Sequence, residues 1–237
     1  MRYITNFERE DGFGGQYMSI IYSIIYAELV NAEFVYTPFK LMEHNYDNDP
    51  CFLNKKEEFI NIKNNYKNIN DVNGCISTSL GIYPIIESDM DNRINLNSFK
   101  RVKELFFLNK RIKNNSNILN VAVHIRRKNP HDNLEDYGYT NDEYFLNCIN
   151  HIRKEYPENK KIHIYSQGAL NSFEKFKSND VVFHLNEPIE DTFYDLVTAD
   201  ILVMSKGSFS YSAALLSNGI IYYIPFWHPK LSHWKIL

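Results

Sequence analysis

DTFYDLVTADILVMSKGSFSYSAALLSNGIIYYIP, residues 191–225, decides the fold of this chain. DTFYDLVTA reads as a helix, and DILVMS as a strand short and apolar enough to be buried on both faces. FSYSAALLSN is a second helix with Gly219 just past its end. IIYYIP is a last strand. Helix, strand, helix and strand follow one another with short connections, and strands joined through helices run parallel.

The pattern continues upstream. NVAVHI (120–125) is a strand, and NDEYFLNCINHIRKEYP (141–157) a helix with Tyr144, Phe145, Cys148, Ile149 and Ile152 on one face. Asn141 or Thr140 caps it. KIHIYS (161–166) is a strand, ALNSFEKFK (169–177) a helix and VVFHL (181–185) a strand. The first half is sparser. RYITNF (2–7) opens as a strand, and EREDGFGGQ (8–16) is a turn whose Gly12, Gly14 and Gly15 offer positive φ. From Gln16 to Asn31, Met18, Ile21, Tyr22, Ile25 and Leu29 mark a buried helix. AEFVYTP (32–38) is a strand stopped by Pro38. Residues 40–75 are polar, with helical hints over Lys55–Ile62, CISTS is a short strand, and Asn97–Asn109 is a helix. RIKNNSN (111–117), polar and aperiodic, is the linker. The expected fold class is α/β, doubly wound with parallel sheets, in halves 1–115 and 116–237.

Composition narrows the function. At 237 residues and 44% hydrophobic, the chain holds one large or two small cores. Lys plus Arg number 26 against 29 for Asp plus Glu, a net charge of −3, which argues against a nucleic-acid partner. Cys51, Cys75 and Cys148 form no CxxC pair, so no structural zinc site and a reducing compartment are expected. MRYITNFEREDG lacks the apolar core of a leader, and MSIIYSIIYAELV (18–30) is too short for a membrane span and contains Glu28. The expectation is a soluble, cytoplasmic protein.

Polar groups gather at the carboxyl ends of the expected strands, where open α/β sheets bind ligands. Arg126 and Arg127 follow NVAVHI, Ser166 and Gln167 follow KIHIYS, and Ser205 to Ser210 follow DILVM. Lys206, Gly207 and Ser208 make a turn before a helix whose N-terminus suits phosphate, with Ser208 or Ser210 as cap. Strand pleating sends Arg126 and Arg127 to opposite faces. One points at the ligand with a fork matched to phosphate oxygens; the other braces the loop or pairs with a carboxylate. The expected ligand is a diphosphate.

Three stretches then resemble one family. HIRRKN (124–129) resembles the HxRRxD stretch of the GDP-fucose-dependent fucosyltransferases, the α-1,2-, α-1,6- and protein O-fucosyltransferase branches. SFSYSAALLSNG (208–219) resembles their SxFSxxAA stretch. DGFGGQYMSIIYSIIYAELVNAEFVYTPF (11–39) resembles their Gly-rich loop, GxGNQ, and the helix and strand after it. The order is the family's, and residues 40–115 carry no part of the likeness.

The resemblance implies a GT-B fold: two Rossmann-like halves with a cleft between them, the acceptor side in 1–115 and the nucleotide sugar in 116–237. It implies inverting transfer of fucose from GDP-fucose to a glycan hydroxyl, with no cofactor and no metal. Carried over by position, Arg126 contacts the β-phosphate, Arg127 supports it, and His124 lies near the guanosine. Ser208, Phe209 and Ser210 donate to the diphosphate. Asp191 and Asp195 stand where a carboxylate reads guanine, and Gly14 and Gly15 belong to the Gly-rich loop. For the base that the acceptor hydroxyl needs, Asp132, Glu135 and Asp136 follow the arginines, Glu135 near the position of the carboxylate in the α-1,6 branch. His131 reads as a loop residue, and DMD (89–91) as a solvated turn rather than a metal-binding stretch. Gly15 replaces the family's Asn and Asn129 its Asp. Two other readings therefore stay open: a transferase using another GDP- or UDP-sugar, and a non-catalytic sugar-nucleotide or glycan-binding protein.

Overall fold

Parallel strands need long crossovers, and both halves of the chain supply them. The computed structural model describes residues 2–78, 81–110, 117–127, 138–157 and 159–237. The chain divides into two compact units, Met1–Arg111 and Ile112–Leu237. The boundary expected at 115/116 falls outside the described residues.

The first unit opens with β1 (Arg2–Thr5), α1 (Phe13–Leu29) and β2 (Glu33–Val35). α1 begins earlier than its spacing predicts, so Gly14 and Gly15 lie in its first turn and Gly12, at φ −67°, is its N-cap. The expected positive-φ glycine turn is not used; Gly168 and Gly207 are the glycines with positive φ among the described residues. Gly15 serves space instead, because the Asp11 carboxylate occupies the volume a side chain would need. Met18, Ile20, Ile21, Tyr22 and Ile25 of α1 are all in the core, and Asn31, left-handed at φ 51°, follows its end.

α2 (Phe52–Ile60), β3 (Cys75–Thr78), α3 (Ile82–Glu87), α4 (Met90–Arg93) and α5 (Asn97–Phe107) complete this unit. Its sheet is parallel, in the order β2-β1-β3. The polar composition of residues 40–75 conceals a buried carboxylate. Glu57 on α2 accepts from Tyr36 Oη at 2.9 Å and the Phe39 N–H at 3.1 Å, and pairs with Lys63 at 2.7 Å. Charge buried with this many partners fixes α2 against the chain leaving β2.

The second unit contains β4 (Leu119–Ile125), α6 (Asp142–Glu155), β5 (Lys160–Ser166), β6 (Val181–Leu185), α7 (Ile189–Thr198), β7 (Ile201–Val203), α8 (Ser208–Leu216) and β8 (Ile220–Tyr222). The strand order is β6-β5-β4-β7-β8, all parallel, with the first strand in the middle as in dinucleotide-binding folds. β4 is covered on both faces, hence its run of Val121, Ala122 and Val123. Ile162, Ile164, Ile201 and Val203 join it in one core with Phe145, Cys148, Ile149 and Ile152 of α6. Of the two capping candidates for α6, Asn141 is the cap, its side chain accepting from the Glu143 N–H at 3.0 Å. The segment expected as a helix over 169–177 is a 3-10 helix, Leu170–Phe176, broken at Phe173 (φ −120°, ψ 16°). Phe173 and Phe176 are buried, so tertiary packing sets its path. The fold class is α/β with two parallel sheets.

Candidate functional site

The order of the five-stranded sheet reverses between β4 and β7. Connections leaving these neighbours go opposite ways, and open α/β sheets bind ligands beyond the carboxyl ends of the strands at such a point. His124 to Arg127 and Met204 to Ser210 stand there.

His124 lies near the end of β4, with Nδ1 3.1 Å from both Ser205 Oγ and Ser210 Oγ. Ser210 Oγ donates to the Ser205 carbonyl at 3.0 Å, so toward Nδ1 it can only accept, whereas the Ser205 hydroxyl can donate or accept. The His124 ring packs against Phe209 at 5.3 Å, and Phe209 against Phe193 of α7 at 5.3 Å. Desolvation first, and the Arg126 charge second, push the His124 pKa down to about 3. His124 is therefore a neutral ring at physiological pH, a surface for packing and a hydrogen-bond partner rather than an acid.

The turn after β7 ends at Gly207, the N-cap of α8, whose φ +155° and ψ 148° favour glycine. A Cβ on Gly207 would stand 3.3 Å from Arg126 Nη1. The expected serine cap is absent: Ser208 and Ser210 lie inside α8, and no side chain caps it. Ser210 is fully buried and braces the end of β7. Ser208 is half-buried, with Oγ 3.1 Å from His228 Nε2. The Arg126 guanidinium thus sits at the positive end of α8. A guanidinium beside a helix N-terminus is chemistry suited to an anion.

Arg127 turns elsewhere. It donates to Asp142 Oδ1 at 2.6 Å and lies 4.8 Å over the Phe173 ring. It ties the β4 loop to the start of α6. Asn129, His131, Asp132, Glu135 and Asp136 lie outside the described residues.

The two carboxylates on α7 differ. Asp195 accepts from Tyr165 Oη at 2.7 Å, and Tyr165 stacks on His184 at 4.6 Å. Asp191 is exposed in the first turn. Ser166 Oγ donates to the Ile125 carbonyl at 2.6 Å and holds the ends of β4 and β5 together. Gln167 is exposed.

Gly14 and Gly15 belong to the first unit. There a cavity of about 270 Å³ lies at the carboxyl ends of β1 and β2, lined by residues including Asn6, Phe7, Phe39 and Lys40. Gln16 Nε2 donates to the Asp11 and Leu41 carbonyls at 2.7 and 2.8 Å and fixes the loops around it. Asp89 of the DMD stretch precedes α4, is half-buried and accepts from Asn92 Nδ2 at 2.6 Å. Among the described residues no group of three or more His, Cys, Asp or Glu is arranged to hold a metal, and no helix is long and apolar enough to cross a membrane.

No protein-family model matches this chain, and neither does any curated protein. Solved structures do. The chain is similar to the α-1,6-fucosyltransferase NodZ from Bradyrhizobium, co-crystallised with GDP, at 13% identity and a TM-score of 0.46, covering 94% of this chain and 95% of that one. It is similar to POFUT1 in complex with GDP at 10% identity and a TM-score of 0.46, covering 92% and 94%. It is also similar to the E. coli heptosyltransferase WaaC with ADP-2-deoxy-2-fluoro heptose, at 11% identity and a TM-score of 0.47, covering 100% and 93%. The functional reading rests on the site's own residues.

Three partners in the site are missed by the sequence pattern. They are Asp142 at the start of α6, Tyr165 in β5, and His228 in the segment after β8. Each acts across 15 to 30 residues of chain, on Arg127, Asp195 and Ser208 respectively. Nothing in the local sequence signals such pairings.

Proposed function

We propose that this protein is a glycosyltransferase whose second unit binds the diphosphate of a nucleotide sugar, with GDP-fucose as donor and a glycan hydroxyl as acceptor. One observation carries the reading: Arg126 stands against the uncapped N-terminus of α8 at the switch point of the sheet. That arrangement fits a diphosphate, with the guanidinium fork on one phosphate and the first-turn N–H groups on the other.

In the reaction, an acceptor oxygen attacks the anomeric carbon as the bond to the β-phosphate oxygen breaks, inverting that carbon. The acceptor's proton passes to a carboxylate base, for which Asp132 and Glu135 are the proposed residues. Charge builds on the departing β-phosphate, and Arg126 stabilises it most in the transition state without a resident metal. Neutral His124 adds no charge and offers its ring beside Phe209 to the nucleoside. Asp191, exposed one turn before Asp195, is the proposed reader of guanine N1 and N2.

Thermal shifts with GDP, UDP, ADP and CMP test the donor. A ligand at about 100 times its dissociation constant stabilises by about 2.7 kcal/mol. GDP gives the largest shift, followed by hydrolysis of GDP-fucose. A shift with UDP and none with GDP refutes the fucose donor. Binding of GDP without turnover over a panel of glycans supports a binding protein instead.

A further inference from the structure

The segment after β8 folds back onto α8 and brings a histidine to the site. Tyr211 of α8 is fully buried, stacks on the His228 ring at 4.7 Å and 29°, and donates from Oη to the Pro229 carbonyl at 2.9 Å. Tyr223 Oη donates to the His228 carbonyl at 2.6 Å. His228 is buried, at 6% exposure, and its ring is thus held on one face by Tyr211 and through its backbone by Tyr223. Phe226 and Trp227 also approach the ring, at 5.4 and 6.0 Å, and Nε2 lies 3.1 Å from Ser208 Oγ. Ser208 is the first residue of α8, one position past the glycine that faces Arg126.

A serine hydroxyl has one proton and two acceptor sites. If Nε2 carries hydrogen, it donates to Ser208 Oγ and the serine proton is free to point elsewhere. A bare Nε2 would take that proton, and a phosphate oxygen at the helix terminus would lose a donor. We infer that His228 is a positioning residue: in the ligand-bound protein its Nε2–H holds Ser208 so that the hydroxyl donates to the phosphate of a nucleoside diphosphate. This rests on the donor-binding reading above, and it assigns the segment 223–234 a part in binding. Trp234 is buried and packs on Tyr211 and Tyr223, which holds this segment on α8.

Calorimetric titration with GDP and with guanosine tests this on wild type, His228→Phe, His228→Gln, Ser208→Ala and the double variant Ser208→Ala/His228→Phe. Phenylalanine keeps the stack on Tyr211 and removes Nε2. Glutamine returns an amide N–H near its position. His228→Phe is expected to weaken GDP about tenfold, equivalent to about 1.4 kcal/mol, and to leave guanosine unchanged. His228→Gln recovers most of the loss. Ser208→Ala matches His228→Phe, and the double variant is no worse than either, since both remove one interaction. Wild-type GDP affinity in His228→Phe overturns the inference, as do equal losses for guanosine or additive losses in the double variant. If His228→Phe does not fold, the inference still requires His228→Gln to stay within about threefold of wild type while Ser208→Ala loses about tenfold. A wild-type protein that binds no nucleoside diphosphate overturns both this inference and the donor reading. Wild-type binding with a failed cycle overturns this inference alone.

Discussion

Replacing Gly207 by alanine separates the two features that make the site. Gly207 and Gly168 both hold positive φ, at +155° and +114°. An alanine Cβ at Gly168 meets nothing within 4 Å, whereas at Gly207 it meets Arg126 Nη1 at 3.3 Å and Cδ at 3.9 Å. Gly168→Ala therefore reports backbone strain alone, and Gly207→Ala strain plus displacement of the guanidinium. Strain at such positions costs about 1–3 kcal/mol. In a chain this long, 1 kcal/mol lowers Tm by about 2–4 °C, so each variant should melt about 2–12 °C lower. The steric part adds little stability loss, because the contact is with the end of a flexible side chain that yields by a few tenths of an ångström. Its effect appears in binding. One hydrogen bond to a charged group is worth about 1.5–3 kcal/mol, so Gly207→Ala should weaken GDP about tenfold or more. Gly168→Ala should leave affinity unchanged. Scanning calorimetry and titration of both variants give the answer. Equal GDP affinity in the two, with equal losses of Tm, refutes the placement of Arg126 against α8. An unchanged Tm in both refutes the strain argument.

Arg126→Ala abolishes transfer with a normal melting curve, and Arg126→Lys is nearly as damaging because the paired donors are lost; wild-type turnover in either removes Arg126 from the mechanism. Arg127→Ala lowers stability by about 1–2 kcal/mol in denaturant titration, since it leaves Asp142 only the longer pair with Lys175, at 3.9 Å, and removes the cation from the Phe173 ring; an unchanged midpoint contradicts its bracing role. Because the folded-state pKa of His124, about 3, lies below its unfolded value, the unfolded chain binds the extra proton between pH 6.5 and 3. Stability therefore falls as pH drops through that window, by at most about 1.4 kcal/mol per unit from this group, and His124→Asn should flatten that part of the curve. Asp191→Asn reduces discrimination between GDP and UDP in thermal shifts while Arg126-dependent binding of the diphosphate persists; unchanged discrimination removes it as the reader of the base.

Much of the site's chemistry is legible in the chain. The reading that adjacent arginines divide their duties comes from strand pleating, yet β4 stops at Ile125 and both arginines lie just beyond it, where pleating no longer sets their directions. The partner of Arg127 does not follow, because Asp142 is brought to it by the packing of α6. The Gly-rich stretch misleads for a related reason. Composition offers flexible turns at Gly12, Gly14 and Gly15, but the Asp11 carboxylate beside Gly15 makes a close approach the actual need. Serines before a helix suggest caps, and here the helix begins one residue earlier than those serines allow.

By itself the sequence determines the alternation of strands and helices, since apolar period is a local property that each segment carries alone. It also determines which strand ends bear cations. The tertiary structure decides which strand ends are neighbours. The order β6-β5-β4-β7-β8 puts Arg126 beside Gly207 across 81 residues of chain and leaves the α8 terminus uncapped and facing it. It also folds the segment after β8 onto α8 and sets His228 against Ser208. Those contacts join groups distant in sequence, and their energies depend on sheet order and packing that no local pattern encodes.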